Sequence, residues 1–591
     1  IMLNIKEIGV DAMIHARDHK TPYLIDPWDY LGPKRRKLLD GSWAGLFREH
    51  ILSELPVHKI ASCYTEGFGR PTKEIYAALG ALILQQMHDL TDEETVSQFS
   101  FNLQWHYALD IPGESDEAKY LCAKTLWTLR QLVAQKGLDR ELFTVTTETL
   151  AKVFGVDTSR QRIDSVHIRS NMRRLGRICI FSQSIHNFLV NLKRQRRAIF
   201  ETIEQELIDR YLTEKALGCF SLVKPSESAR TLEEVSRDLF SLVERFRGNK
   251  QVISLNTFGA LLRVLKDQCD VSETGEMTVK PPKEIASSSL QNPSDPDAGY
   301  DAHKGQGYQV QVMETYCASS DESIREKTLN LITHVEIEPA HVSDVHALIP
   351  ALESTKERGL VPREVLADSL YGSDENRQTA RELGVEVISP VMGAPKDETL
   401  SLADFPQTEK GMIAACPRGH VPVKIKRGKN NAISVGFASE HCGVCPHQKR
   451  CPVKPGKKRH YLRCNLKALR IAERRAGEHT PEFKDKYRWR AGIESTMSEM
   501  DKTTGIKHLR VRGLSAVGYC ARLKVIGVNL FRAARVKRAL DALRTLPGTA
   551  LSGIGAMIWV VKERFLNTGS RLRNIFNAVT EITPYDLKIA A

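Results

Sequence analysis

Between residues 307 and 392, strand-like and helix-like segments alternate, and this alternation restricts the chain more than any other feature. "GYQVQVME" (307–314) and "LNLITHVEIEP" (329–339) repeat apolar and β-branched residues at a strand's period of two. A helix fits 344–357, a strand 363–368 ending in "LADS", a helix 374–383, and a strand "VEVISPV". An earlier strand fits "RQRIDSVHIRSNM" (160–172), where Val166 and Ile168 alternate with polar residues in step with Asp164. Segments of these lengths in this order predict an α/β sheet.

At 591 residues the chain exceeds what one core can organise, which predicts two to four domains. Residues 1–150 read as helices. After the turn-like "GFGRP", Ile75, Leu79, Leu82 and Ile83 recur at helical spacing; Thr91 and Glu94 form a capping box; Leu126, Leu129, Leu132 and Val133 mark a further amphipathic helix. Periodicity leaves open a helix-turn-helix module or a plain bundle. Residues 185–270 return to helical patterns such as "FETIEQELIDRYL", followed by a Ser/Pro/Asp-rich loop at 286–299. The late apolar run Gly548–Val561 is too short to span a bilayer and predicts a buried helix.

Charge is unevenly distributed. The net charge is +13, yet residues 484–540 alone contribute +10 and residues 416–464 contribute +11, so the remainder is acidic. Concentrated positive segments on an acidic body point to a polyanion, most simply nucleic acid; solvated surfaces are the alternative. The first twenty residues lack an apolar core of signal-peptide length. With twelve cysteines, this predicts a reducing cytosol, where cysteine clusters bind metal more often than they form disulfides.

Three carboxylates fit one chemistry. Asp164 lies in the first strand, Asp368 at the end of a later strand, and Glu494 within the basic stretch "YRWRAGIESTMSEMDK". Acidic residues from two strands and one helix can converge on a sheet edge and hold two Mg²⁺ ions, hard cations completed by water and substrate phosphates. Such a pair suits in-line phosphoryl transfer. Asp297 is a fourth acidic residue, in a loop setting that favours a turn.

The segment "GRPTKEIYAALGALILQQMHDLTDEETVSQFSFNLQWHYALDIP" and the blocks "RIDSVHIRSNM", "DPDAGYDAHKGQGYQVQVMET", "VLADSLYGSDEN" and "YRWRAGIESTMSEMDKTTGIKHLRVRGL" resemble DDE transposases of bacterial insertion sequences, nearest the IS1182 type within the IS4-like group. The resemblance implies an α/β, RNase H-like catalytic core with Asp164, Asp368 and Glu494 as the Mg²⁺ (or Mn²⁺) triad. It implies double-stranded DNA, as element ends and target, as partner, and a homodimer when two ends are paired. The division it suggests is a helical DNA-binding domain (1–150), core (151–180), helical insertion (181–290), core (291–392), cysteine-rich basic insertion (393–480), glutamate helix and basic core end (481–540) and helical tail (541–591). A cytoplasmic, nucleoid-associated enzyme follows. A domesticated DNA-binding protein and a nuclease on the same fold are the alternatives.

On a continuous helix Tyr487 lies about 20° and Arg490 about 40° from Glu494, so all three face one way. The family pattern places Lys seven residues after Glu; here Asp501 occupies that position, with Lys502 one beyond and Lys507 an alternative. Arg510 and Arg512 are further candidate DNA contacts. "DAHKGQGYQVQV" supplies His303 and Lys304 as phosphate contacts or as a solvated turn, with Tyr308 beside them. Cys442, Cys445 and Cys451 form C-x2-C-x5-C, with Cys416 upstream, a set suited to a structural Zn²⁺. His420, His441, His447 and Cys464 are alternative ligands. Reduced, unliganded thiols are the competing reading, and Cys179 and Cys520 read as core residues.

Overall fold

A twisted sheet organises the core: β1 (Arg160–Arg169), β2 (Gly299–Asp301), β3 (Gly305–Thr315), β4 (Ile332–Pro339), β5 (Glu364–Leu366) and β6 (Glu386–Ile388). β1 pairs antiparallel with β3 from Gln161↔Thr315 to Arg169↔Gly307. The far edge of β3 takes β4 and the short β2, both antiparallel. On its other side β1 takes β5, and β5 takes β6, all in parallel. The spatial order is therefore β4–β3–β1–β5–β6. The computed structural model describes residues 14–544 apart from 65–70, 214–219, 221–222, 394–398 and 409–411. Most of the "GFGRP" turn, the run Gly548–Val561 and nearly all of the expected tail lie outside the described residues. The described residues through Val536 form one compact unit.

The N-terminal region is helical, including α1 (Ile75–Met87), α2 (Asp92–Phe101), α3 (Ala123–Gln135) and α4 (Leu138–Phe154). The expected capping box opens α2: the Thr91 hydroxyl accepts the Glu94 N–H at 3.2 Å, and the Glu94 carboxylate accepts the Thr91 N–H at 2.7 Å. After β1 comes an inserted bundle, with α5 (Arg177–Gln195), α6 (Ser228–Phe246) and α7 (Asn256–Gln268) around Phe181, Phe188, Leu239 and Phe258. "FETIEQELIDRYL", expected as one helix, is broken. Arg245 binds the Thr202 carbonyl and pairs with Glu204 at 2.6 Å, and the helix starts only at Gln205. A guanidinium on a backbone carbonyl takes an acceptor that a continuous helix would need.

Helices α8 (Leu348–Glu357) and α9 (Asp374–Glu382) make the crossovers that parallel β5 and β6 require, burying Leu348, Leu352 and Ala380 against Ile163, Val365 and Val387. The cysteine-rich segment folds as a second sheet of β7 (Lys424–Arg427), β8 (Ala432–Phe437), β9 (Lys454–Pro455) and β10 (His460–Asn465), in the order β9–β10–β8–β7. Its core is Phe405, Ile433, Val435, Phe437 and Leu462.

Helices α10 (Leu466–Gly477), α11 (Pro481–Tyr487), α12 (Gly492–Thr504) and α13 (Leu514–Arg544) follow. The continuous helix expected around Glu494 is interrupted: a 3₁₀ turn, Arg488–Ala491, separates α11 from α12. The turn is pinned from outside, because Arg162 of β1 donates Nη1 to the Trp489 carbonyl at 2.7 Å. α13 is long and apolar enough to cross a membrane, but 78% of its apolar window is buried inside the protein. It carries Lys524, Asn529 and Arg532 into that interior, each bonded to protein partners.

Candidate active site

The parallel register of β1 and β5 accounts for the first two carboxylates. Pairing ends at Arg162↔Leu366, and two residues beyond stand Asp164, still on β1, and Asp368, just past β5. Neighbouring strands lie about 4.8 Å apart, so the two side chains emerge close together at the C-terminal end of β5. Asp368 also orders the turn that follows, with Oδ1 accepting the N–H groups of Leu370 (2.8 Å) and Tyr371 (3.4 Å). A turn role and a ligand role are therefore compatible, since the second carboxylate oxygen takes no part in the turn.

Arg490 joins the third carboxylate to the first. Its Nη2 lies 2.7 Å from Asp164 Oδ2, and its Nη1 lies 3.3 Å from Glu494 Oε1. Asp164 is 17% exposed and Arg490 19%, whereas Glu494 is 69% exposed. Burial raises the Asp164 carboxyl above the usual carboxylate range. Arg490 opposes that shift, and the like charges of Asp368 and Asp344 add to it. Tyr487 is half-buried and stacked on Phe483 at 5.4 Å, against Tyr316, Leu366 and Ile388. Burial raises its hydroxyl pKa; Arg490 lowers it, and Asp368 and Asp164 raise it further, which places the ring beside the same carboxylates.

Among the described residues, no group of three or more His, Cys, Asp or Glu side chains is gathered closely enough to hold a metal ion as it stands. At the triad, the Arg490 guanidinium provides the counter-charge between Asp164 and Glu494. At Asp164 the donor set is all oxygen, partly buried, and raised by its acidic neighbours, which is the environment a hard divalent cation relieves.

Two buried networks support this edge, and neither was anticipated from sequence. Asp344 accepts from Gln311 Nε2 at 2.7 Å and from the Ser165 hydroxyl at 3.3 Å, while Tyr371 donates its hydroxyl to Gln311 Oε1 at 2.6 Å. This chain runs from the residue after Asp164 to the turn that Asp368 caps. The second centres on Glu314, which is fully buried. It pairs with Arg162 (2.7 Å) and Arg532 (2.8 Å) and accepts the Thr496 hydroxyl at 2.8 Å; Arg532 also pairs with Glu499 at 2.7 Å. Gly492 is needed where α12 begins, because a Cβ there would strike the Arg162 guanidinium.

The remaining candidates divide. Lys304 is exposed on the β2–β3 hairpin, its N–H and that of His303 held by Asp301, and its Nζ is 3.5 Å from the Ser165 hydroxyl. Lys304 therefore stands at the triad's flank, with His303 exposed beside it. Lys502 is exposed on the last turn of α12, and Lys507 pairs with Asp501 at 3.8 Å. Arg510 pairs with Asp89 at 3.0 Å, and Arg512 donates to the Ser294 carbonyl at 3.3 Å, so both hold the α12–α13 connection to other parts of the fold. Asp297 accepts the Leu514 N–H at 2.9 Å, the turn role its loop suggested. Tyr308 is buried on Asp295 and takes no part in the edge.

Cys416, Cys442, Cys445 and Cys451 line one cavity together with His420 and His441. Burial raises the Cys442 and Cys451 thiols; Cys442 also feels Cys416, Cys451 and Cys445, and Cys451 feels Cys445 and Cys416. The Cys464 thiol is raised by burial alone, with no thiol neighbour contributing. Two tight turns present the set: Gly419 N–H returns to the Cys416 carbonyl at 2.8 Å, and Cys445 N–H to the Cys442 carbonyl at 3.4 Å. All four thiols are free of disulfides.

Two family models match parts of the chain. Residues 415–534, which contain the cysteine cluster, Glu494 and most of α13, match the family "Transposase DDE domain". Residues 44–132, in the N-terminal helices, match "Transposase domain (DUF772)". No curated protein matches the chain. With one match ahead of the sheet in sequence and the other after it, the two support a DDE transposase of the insertion-sequence type.

Proposed function

We propose that the chain binds the terminal inverted repeats of an IS1182-type element, cuts DNA there and joins the freed end to a target, using Asp164, Asp368 and Glu494 on an RNase H-like core. The observation that carries this reading is the adjacency of Asp164 and Asp368 across the β1–β5 register, with Glu494 tied to Asp164 through Arg490. Long antiparallel strands continued by two parallel ones, with Asp164 on β1 and Asp368 just past β5, suit that core.

Divalent ions, Mg²⁺ or Mn²⁺, would be held by Asp164, Asp368 and Glu494 and would supply Lewis-acid activation of the attacking oxygen and charge for the leaving one. The protein's own groups do the rest. Asp164 sits on β1 and Asp368 just past the end of the adjacent β5, so their spacing is set by the sheet and little reorganisation accompanies reaction. Arg490, with a planar five-donor fork, can exchange carboxylate partners for phosphate oxygens without changing its charge. Lys304 and Tyr487 flank the same edge, where they orient the strand being cut. Attack of water at phosphorus breaks the P–O3′ bond and leaves a 3′-OH. That hydroxyl then attacks a target phosphodiester, one P–O bond forming as another breaks.

The cysteine cluster is proposed to hold a structural Zn²⁺ through Cys416, Cys442, Cys445 and Cys451, supported by the two tight turns and by mutual influence of the thiols. Pairing of two element ends implies at least a homodimer during reaction, in a reducing cytoplasm.

The test is cleavage of an end-bearing duplex in Mg²⁺. Asp368→Asn and Glu494→Gln should bind it and fail to cut; cutting at the wild-type rate by either would exclude this assignment. Cutting without joining to a target would instead identify a nuclease.

A further inference from the structure

The outer face of the cysteine-rich sheet presents unpaired positive charge in an ordered array. Paired residues on antiparallel strands point to one side, so the register defines two rows. One row is Lys426, Ser434 and Arg463; the next is Lys424, Gly436, Tyr461 and Lys454. The opposite face carries Ile433, Val435 and Leu462, all buried, which makes the rows of cations the solvent face. Successive rows lie about 6.7 Å apart along the strands. Gly436 keeps the centre low, and the Tyr461 ring and Arg459 chain lie across it.

The segment offers these cations almost no carboxylate to pair with. Glu440 is the sole acidic residue between 416 and 464, and among the described residues none of Lys424, Lys426, Lys454 or Arg463 is in an ion pair. The helical insertion treats its arginines differently: Arg197, Arg230 and Arg237 pair with Glu201, Glu234 and Glu233 within their own helices. A folded surface that leaves several cations side by side, with no internal counter-charge, incurs self-repulsion that an external polyanion relieves.

We propose that this face binds the phosphate backbone of duplex DNA without reading its sequence, as a second contact separate from the triad. The inference rests on the DNA-processing reading above and names a surface for it. Lysines and an arginine on a rigid, short-stranded sheet supply point charges and one fork, with small residues between them. Such a set grips phosphates rather than base edges.

The experiment measures affinity of the full-length protein for a generic duplex against salt concentration, without divalent metal, so that no cutting occurs. The triple variant Lys424→Ser, Lys426→Ser, Arg463→Ser should weaken binding about tenfold or more near 0.1 M salt and flatten the log–log salt slope by about 2–3, at roughly 0.9 for each phosphate left without its cation. A control variant, Arg197→Ser, Arg230→Ser, Arg237→Ser, removes the same charge from the helical insertion and should leave the slope unchanged. An unchanged slope in the sheet variant, an equal loss in the control, or a larger loss for single-stranded RNA than for duplex DNA would each overturn the proposal. A chain that binds through this face and never cuts would leave it standing and remove the proposed activity instead.

Discussion

The guanidinium of Arg162 and the carbonyl of Trp489, 327 residues apart in sequence, are joined by a 2.7 Å hydrogen bond. Arg162 precedes Asp164 by two residues on β1, and Trp489 immediately precedes Arg490. The bond therefore sets the turn from which Arg490 reaches both Asp164 and Glu494. Arg162 is itself held by Glu314, whose second partner, Arg532, comes from α13. Strand, turn and helix meet at one buried carboxylate.

Glu314→Gln leaves two buried guanidinium groups facing a neutral amide. Breaking a buried pair by removing one partner costs about 3–5 kcal/mol, and chemical denaturation should show a loss of that order. Thr496→Val removes only the hydroxyl that ties α12 to Glu314, and about 1 kcal/mol is expected. A Glu314→Gln variant as stable as wild type would mean that the network is not a clamp.

Asp344 tests whether the layer beneath the aspartates matters to chemistry. Asp344→Asn keeps the shape and an acceptor for Gln311 while removing the charge beside Asp164. Outer partners of metal ligands typically contribute 10–100-fold in metal affinity or activity. Cleavage should fall by that factor, with the Mg²⁺ requirement moved and the melting temperature nearly unchanged. Loss of stability with an unaltered metal requirement would make Asp344 a packing residue only.

These two networks also show where sequence reading stops. Strand periodicity and three acidic residues are visible because each is a local pattern: Val166 and Ile168 alternate around Asp164, and "LADS" ends a strand. Glu314 is equally local in "VMETY", but its meaning lies in arginines 152 and 218 residues away. A buried charge leaves no periodic mark when its partners are so distant. Helical spacing makes the segment at Glu494 look continuous, because it cannot reveal that Arg162 captures a carbonyl in its first turn. Even so, Arg490 reaches Glu494, since a single 3₁₀ turn leaves residues four apart within reach of a long side chain. Asp344, in "HVSDVHAL", has the sequence look of a helix start, and a short 3₁₀ turn does begin there. The register between strands that brings it beneath Asp164 is not written in that segment.

Arg490→Lys should keep a positive charge at the site and lose the fork that reaches two carboxylates at once. Donors aimed at charge developing in a transition state are worth about 10²–10³ in rate. Single-turnover cleavage by Arg490→Ala should fall by that order, with Arg490→Lys intermediate and duplex affinity little changed. If Arg490→Lys equals wild type, planar recognition plays no part.

His334 gives the fold a dependence on pH. It is buried on β4, and burial, with Arg358, Arg522 and Arg140 nearby, lowers its pKa to about 3. In the unfolded chain it titrates near 6.5. Between these values the unfolded state takes up a proton that the native state refuses, so this group costs stability as pH falls below about 6.5, by up to about 1.4 kcal/mol per unit. The urea midpoint of wild type should drop between pH 7 and pH 5.5 more than that of His334→Gln. Parallel pH profiles for the two proteins would assign the acid sensitivity elsewhere.

The four clustered thiols can be separated from the fifth by metal content. Zinc takes four ligands in structural sites, and thiolates bind it only after losing their protons, so a closed four-cysteine set should retain the ion through purification. Cys416→Ser, Cys442→Ser and Cys451→Ser should each lose most of it and lower the melting temperature, because these residues pack against the insertion's small core and the ion ties them together. Cys464, on β10 of the same segment, feels no thiol neighbour, so Cys464→Ser should keep about one zinc per chain. Elemental analysis of the wild type and these four variants decides the matter. Metal-free wild-type protein of full stability would identify the cluster as reduced core thiols, and equal zinc loss from Cys464→Ser would mean that the ligand set has been drawn around the wrong cysteines.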